Sequence, residues 1–166
     1  MGFKTTVNWQ SSPSEEGEFN RDHQVKFGTG QTIDASSAPE YKGSADKVNP
    51  EESLLAALSS CHMLTFLAIA HLKRLPVLSY VDNATADLGK NEAGKVAVVK
   101  MTLEPIVTFA EGIEVTQETL DKIHEKAHAN CFIANSIACE VEIKTNSNGA
   151  FTRVTPISFF IMNKMP

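Results

Sequence analysis

Between positions 54 and 70 apolar residues fall on nearly every side of a helical wheel, interrupted only by Ser59, Ser60, His62 and Thr65. No face is left for water, which predicts a helix covered all round. Its start is marked by Asn49 as N-cap, Pro50 at the first helical position, and Glu51 and Glu52 at the positive end; Asn49 with Glu52 has the spacing of a capping box. The helix is read over 49–75, with Pro76 stopping further winding. The apolar run is shorter than the roughly 20 clean residues of a membrane span and has a histidine near its middle, so a core helix is expected.

Elsewhere the pattern has period two. Residues 3–9 and 19–27 read as the strands of a hairpin, joined by a turn at 11–17 rich in Ser, Pro, Gly and acid. In its second strand Phe19, Arg21, His23, Val25 and Phe27 share one face. A short strand near 31–35 and a polar loop over 36–48 lead to the helix. Beyond it, 78–88 and 95–109 read as two strands of a second hairpin turning at 89–94. Pro105, which donates no ladder hydrogen bond, predicts an edge or a bulge there. Val99, Met101 and Leu103 oppose Lys100, Thr102 and Glu104, giving that sheet one dry face and one wet one. Residues 116–129 form a one-sided amphipathic helix, and Ile137, Cys139, Val141 and Ile143 form the buried row of a closing strand. An Asn148-Gly149 turn and the run ISFFIM suggest one more strand, at an edge or an oligomer contact. The sum is an α+β fold of antiparallel strands with segregated helices, a single domain over 1–166 in which 145–166 is an extension without an assigned role.

A chain of 166 residues, 42% hydrophobic and 21% charged, can bury a sizeable core. With 15 basic against 20 acidic residues the formal charge is -5, and no Lys/Arg run builds the basic face that nucleic acid or an anionic membrane requires. No secretory leader is legible, so cytoplasm is the expected compartment. Met1-Gly2 with Thr6 formally fits a myristoylation pattern, but the alternation of Phe3, Thr5, Val7 and Trp9 reads as a strand entering a core. Cys61, Cys131 and Cys139 are too few and too scattered for a disulfide framework, and in a reducing compartment each is either filler or functional.

Cys61 has two opposed readings. Desolvation in an apolar helix leaves a thiol neutral and inert, whereas a nearby cation lowers its pKa and activates it. Arg21 is the inward-facing guanidinium available; it either serves that role or snorkels to solvent from a strand end. Glu51 is the natural third member, holding Arg21 in a bidentate fork. Ten residues separate Glu51 from Cys61, about 15 Å along a straight helix. One arginine serves both only if the helix breaks between them or the site is shared between subunits. A two-fold dimer, in which Glu51 and Arg21 of one chain approach Cys61 of the other, is the favoured expectation. Cys131 lies where the second helix gives way to irregular backbone, where a thiol can be exposed, can move, and can capture a sulfenic acid formed on Cys61. Cys139 reads as a small hydrophobe.

The segments NPEESLLAALSSCHMLTFLAIA (49–70) and KAHANCFIANSIACEVEI (126–143) resemble the two signature segments of the OsmC/Ohr family (osmotically induced protein C, organic hydroperoxide resistance protein), and FNRDHQVKF (19–27) resembles its arginine-bearing strand. The resemblance implies an intertwined homodimer with long central helices and antiparallel sheets wrapped outside. It also implies thiol-dependent reduction of organic hydroperoxides, with electrons returned by a dithiol such as a lipoyl group. No cofactor or metal is expected. It places Cys61 in the peroxidatic position, Cys131 in the resolving one, Glu51 as the carboxylate and Arg21 as the arginine. Phe132 stands where the family often has proline. Bulky apolar hydroperoxides are the expected substrates if Leu64, Phe66 and Phe132 line an apolar pocket.

Two rivals are weighed against this. A zinc site from Cys61-His62 and His128-x-x-Cys131 is disfavoured because adjacent residues project about 100° apart on a helix; His124, His128, His23 and His71 read as ordinary structural residues. A non-catalytic protein of the same fold, holding a lipid-like ligand in an apolar crevice, is the alternative function.

Overall fold

Asn49 and Glu52 bond reciprocally, the Glu52 N–H donating to Asn49 Oδ1 at 2.8 Å and the Asn49 N–H to Glu52 Oε2 at 3.2 Å. This capping box opens helix α1 (Pro50–Leu72), which runs unbroken through its whole length. The computed structural model describes residues 2–12, 17–147 and 150–153. Their contacts fall into two compact units, Met1–Leu54 and Leu55–Pro166.

In the first unit β1 (Thr5–Asn8), β2 (His23–Phe27) and β3 (Thr32–Ala35) form an antiparallel sheet in that order, with Val25 opposite both Val7 and Ile33. Every position of β1 is exposed, Val7 by 63%, so the expectation of a strand entering a core does not hold within this unit. A three-stranded sheet has no second layer of its own there, and its apolar side chains stay open. β2 also begins later than the alternation suggested. The indole N–H of Trp9 donates to the Asn20 carbonyl at 2.6 Å, and Asn20 Oδ1 accepts from the Asp22 N–H at 2.9 Å. Local side-chain bonds of this kind replace a ladder, so Arg21 sits ahead of the strand.

The second unit carries β4 (Val77–Asp82), β5 (Thr85–Lys90), β6 (Val96–Leu103), β7 (Pro105–Phe109), β8 (Glu140–Ser147) and β9 (Ala150–Arg153), ordered β4-β7-β8-β6-β5 with β9 on β8. β8 runs parallel to β6 and β7, and the other pairs are antiparallel. The stretches 78–88 and 95–109, each expected as one strand, are each two. The second breaks at Glu104, whose N–H turns to Asp82 Oδ1 at 2.7 Å instead of continuing the ladder. Pro105 is therefore the first residue of an internal strand, a position that tolerates its missing donor, and not an edge. The expected hairpin turn between β5 and β6 forms around Asn91, whose Oδ1 accepts from the N–H groups of Ala93 and Lys95, both at 3.0 Å. The expected Asn148-Gly149 turn and the strand from ISFFIM lie outside the described residues.

Helix α2 (Gln117–Asn130) starts at Thr116, whose hydroxyl accepts the Thr119 N–H at 3.2 Å. It is tied to β8 by Thr145 Oγ1, which donates to Asp121 Oδ1 at 2.6 Å. Two clusters make the core. In one, Phe66, Ile69 and Ala70 of α1 pack with Leu120, Ile123 and Ala127 of α2. In the other, Leu58 of α1 packs with Met101, Leu103, Cys131 and Ile143.

Within one chain α1 is covered on one side. Leu58, His62, Phe66, Ile69 and Ala70 are buried, but Ala56, Ser60, Leu64, Ala68 and Leu72 form an exposed stripe at four-residue spacing. One sheet and one helix cover only one side of a cylinder, so an all-apolar helix in one chain leaves its other side open. Among the described residues α1 is the one helix long and apolar enough to cross a membrane; core helices share that length and composition, and its buried side packs on α2.

Candidate functional site

Cys61 stands in the middle of α1, and the chain after α2 is folded back over it. Cys131 caps α2, its N–H donating to the His128 carbonyl at 3.3 Å, and residues 134–136 then form a single 3-10 turn. This turn aims successive N–H groups at sulfur. Those of Ile133 and Phe132 face Cys61 Sγ, and that of Ala134 donates to Cys131 Sγ at 3.4 Å. The two thiols are in hydrogen-bond contact with each other.

The electrostatics divide the pair. Burial pushes the Cys61 thiol up, but hydrogen bonds from the Ile133 N–H, the Cys131 thiol and the Phe132 N–H outweigh it and hold Cys61 below the ordinary thiol value. Burial and the neighbouring Cys61 sulfur push Cys131 up to about 11. Of the two, Cys61 is therefore the sulfur that ionises first, with Cys131 as its protonated donor. Access follows the same division. Cys61 is half-buried, not sealed, and Cys131 is fully buried, not exposed at a mobile helix end as its sequence context suggested. The reason is that the 3-10 turn packs Cys131, Ile133 and Ala134 into the cluster around Leu58 and Met101. A reagent reaches Cys61 first and finds Cys131 behind it. Cys139 is half-buried in the same cluster, and burial pushes its thiol up.

Next to Cys61, His62 points the other way, into the core. Its Nε2 lies 3.0 Å from Nδ1 of His124, and the rings are parallel to within 4° with centroids 5.3 Å apart. Phe66 packs on His124 at 4.4 Å between centroids, and Tyr80 closes the far side at 6.4 Å. Burial holds His62 and His124 neutral, each down to about 3, with each other's charge adding to the effect on His62. Burial and then the charge of Asp82 push the Tyr80 phenol above its usual range.

Arg21 lies in the first unit. Its Nη1 donates to the Phe19 carbonyl at 3.0 Å and meets Glu18 Oε2 at 3.5 Å, and the guanidinium lies 4.2 Å over the Phe19 ring. It lines an open, largely apolar cavity of about 810 Å³ with Val7, Trp9, Phe19 and Tyr41. Lys42 bonds Glu18 beside it. Glu51, in the first turn of α1, makes no hydrogen bond or ion pair among the described residues. Because α1 is unbroken, the about 15 Å of helix between Glu51 and Cys61 remains. The expectation that Phe66 lines an apolar approach to the thiol is corrected, since Phe66 is fully buried against His124; Leu64 and Phe132 are exposed, by 62% and 81%.

The structure thus brings Cys61 and Cys131 together; within the first unit Arg21 is engaged by Glu18 and Phe19, and Glu51 makes no hydrogen bond or ion pair among the described residues. What sequence reasoning missed are the backbone donors of residues 132–134, which no side chain announces, and the His62–His124 pair. Thr65 had a signal, a hydroxyl one helical turn after Cys61, and it donates to the Cys61 carbonyl at 2.8 Å. Among the described residues no group of three or more His, Cys, Asp or Glu is placed to hold a metal ion.

Residues 43–146 match the family described as OsmC-like protein. An OsmC-like protein of unknown function from Vibrio cholerae O1 biovar eltor is 41% identical and superposes with a TM-score of 0.84, covering 88% of this chain and 99% of its own. An organic hydroperoxide resistance protein OsmC from Legionella pneumophila is 17% identical (TM-score 0.66, 87% of this chain and 95% of its own). One from Elizabethkingia anophelis is 20% identical (TM-score 0.66, 87% and 94%). At these lower identities the likeness is one of fold. No curated protein matches the chain.

Proposed function

The chain belongs to the OsmC-like protein family, and on that premise we propose that it is a cysteine-based peroxidase that reduces organic hydroperoxides to alcohols, with Cys61 as nucleophile and Cys131 as resolving thiol. The observation that carries this reading is the opposed thiol pair: a reachable Cys61 held toward thiolate by the N–H groups of Ile133 and Phe132, in contact with a buried Cys131 held protonated.

The chemistry balances within the site. Cys61 thiolate attacks the terminal oxygen of ROOH; the S–O bond forms, the O–O bond breaks, and the alkoxide takes from solvent a proton equivalent to the one Cys61 gave up on ionising and leaves as ROH. Cys131 sulfur then attacks the Cys61 sulfenic acid. The S–S bond forms, the S–O bond breaks, and the departing hydroxide takes the Cys131 proton to leave as water. Two thiols have given two electrons, and an external dithiol, of lipoyl type, returns them by exchange through Cys61, the accessible sulfur. No cofactor or metal takes part.

A two-fold homodimer completes the site. The exposed stripe of α1 with Leu64, the exposed Phe132 ring and the open aromatic cavity beside Arg21 are apolar surfaces of a kind a second copy covers. The unbroken helix keeps Glu51 from Cys61 in one chain, so Arg21 and Glu51 of the partner are assigned to the approach of the peroxide, Arg21 stabilising the developing alkoxide. The leaving alcohol and these apolar walls favour bulky organic substrates over hydrogen peroxide, in the cytoplasm.

Turnover of cumene hydroperoxide and hydrogen peroxide, measured side by side with a lipoyl reductant, tests the reading. The parent chain should consume the organic substrate faster, Cys61→Ser should abolish turnover, and Cys131→Ser should stall after one equivalent with Cys61 over-oxidised. A parent chain that consumes neither, while binding an apolar probe, would establish the non-catalytic alternative.

A further inference from the structure

The two helices that carry the reacting thiols touch chiefly through aliphatic and aromatic side chains, Phe66, Ile69 and Ala70 against Leu120, Ile123 and Ala127. Such contacts are non-directional and let one helix rotate or slide on the other at small cost. One contact between them is different in kind. His62, the residue after Cys61, and His124, two helical turns before Cys131 and on the same side of α2, share a hydrogen bond of 3.0 Å between rings that are fully buried. The bond is costly to keep. Each neutral ring holds one proton, so the outer nitrogens, His62 Nδ1 and His124 Nε2, leave one donor and one acceptor; both are buried without a partner among the described residues, as is the Tyr80 hydroxyl. Apolar residues of the same volume would avoid that penalty, so the pair is not accounted for by stability. A single buried polar contact in an otherwise apolar seam fixes register.

We propose that the His62–His124 hydrogen bond is a positioning pair for the thiol chemistry: it pins the rotation and register of α1 on α2 so that Cys131 is held against Cys61 for disulfide closure. The Cys61–Cys131 contact and the histidine bond are two points joining the same two elements, and two points fix both a rotation and a slide where one does not. Neither ring touches the peroxide; both act through the sulfur positions. The inference rests on the proposed roles of the two cysteines but not on which oxidant they meet.

The test replaces the bond and then restores it. In His62→Leu/His124→Leu the seam is wholly apolar. In His62→Gln/His124→Asn the amide nitrogen or oxygen of each new residue stands near the original Nε2 and Nδ1, and the bond can reform. For each chain the Cys61–Cys131 disulfide, identified by mass spectrometry, is equilibrated with reduced and oxidised dithiothreitol, and closure is timed after a stoichiometric pulse of cumene hydroperoxide. The leucine pair should lower the equilibrium constant for closure about tenfold, a change of about 30 mV for a two-electron couple, and slow closure by a similar factor, so that sulfenic acid on Cys61 becomes trappable with dimedone. Its denaturant midpoint at pH 7 should not fall, and loss of the free Cys61 thiol should keep its rate to within about threefold. The Gln/Asn pair should recover most of the closure. Should the leucine pair not fold, His124→Met, which deletes the bond from one side, is held to the same criterion. Closure in the apolar variant as tight and as fast as in the parent overturns the inference. A parent chain that consumes no hydroperoxide but whose dithiothreitol equilibrium still shifts with the histidines overturns the peroxidase reading alone.

Discussion

Two neutral histidines in a fully buried pair make folding sensitive to mild acid. An unfolded chain protonates both near the ordinary histidine pKa of 6.5, while the folded chain resists until about 3 because burial penalises the charged rings. A folded-state pKa below the unfolded one means that the unfolded chain binds more protons, so stability rises with pH across the window. The contribution is complete above about pH 6.5 and drains away as pH falls toward 3. At pH 4.5 each ring costs roughly 2.7 kcal/mol and the pair about 5, a sizeable share of the roughly 5 to 15 kcal/mol that holds a domain together. For a domain of this size that corresponds to a fall in Tm on the order of 10 to 20 °C. Urea titrations followed by circular dichroism at pH 7, 5.5 and 4.5, on fully reduced protein at one fixed concentration, measure it against His62→Leu/His124→Leu. Carboxylates such as Asp22 and Glu118, held low by hydrogen bonds to Ser44 and Lys122, lose stability in acid in both chains and cancel in the difference. The parent should lose about 5 kcal/mol more than the variant between pH 7 and 4.5. Equal losses would refute the neutral buried pair.

Phe132→Pro deletes one N–H that faces Cys61, so alkylation of Cys61 by iodoacetamide should slow several-fold at pH 7 and its midpoint should move to higher pH; an unchanged profile would remove Phe132 from the site. Leu64→Glu places a charge on the exposed stripe of α1 and should shift sedimentation from dimer to monomer at micromolar concentration, with turnover falling at least about tenfold; an active monomer would end the shared-site proposal. Arg21→Lys keeps the charge but loses the fork, and should depress turnover with organic hydroperoxide while leaving Cys61 alkylation within about twofold, a separation that a purely structural Arg21 would not give.

Much of the architecture was legible because local chemistry and global fold agree there. The capping box at Asn49 and Glu52, the N-cap at Thr116 and the turn at Asn91 all form as their residues predict. Failures cluster where a strand had to be divided or a face covered. Alternation could not see that Glu104 would leave the ladder for Asp82, or that Trp9 and Asn20 would tie residues 19–22 into a local knot ahead of β2. An all-apolar wheel says that α1 must be covered but not by what, and one chain covers one side of it.

The site was half legible for a related reason. Cysteine is a rare residue, and the segments around Cys61 and Cys131 carry a recognisable pattern. The groups that lower the Cys61 pKa are the backbone N–H donors of Ile133 and Phe132 with the Cys131 thiol, and burial with the Cys61 sulfur raises Cys131; backbone donors are present in every sequence and are aimed only by the fold. A cation was expected to be required for a low thiol pKa, yet within the second unit backbone and thiol hydrogen bonds lower that of Cys61 without one. The proposal accordingly assigns Arg21 to the peroxide and the alkoxide, where a guanidinium stabilises charge that develops during reaction.

The most direct measurement is a thiol map by peptide mass spectrometry after reduced protein receives one equivalent of cumene hydroperoxide. The expected result is a single Cys61–Cys131 disulfide, Cys139 untouched, and one equivalent of the corresponding alcohol. Intact hydroperoxide beside free Cys61, or oxidation that falls on Cys139 instead, would contradict the assignment of Cys61 as a nucleophile primed by the turn after α2.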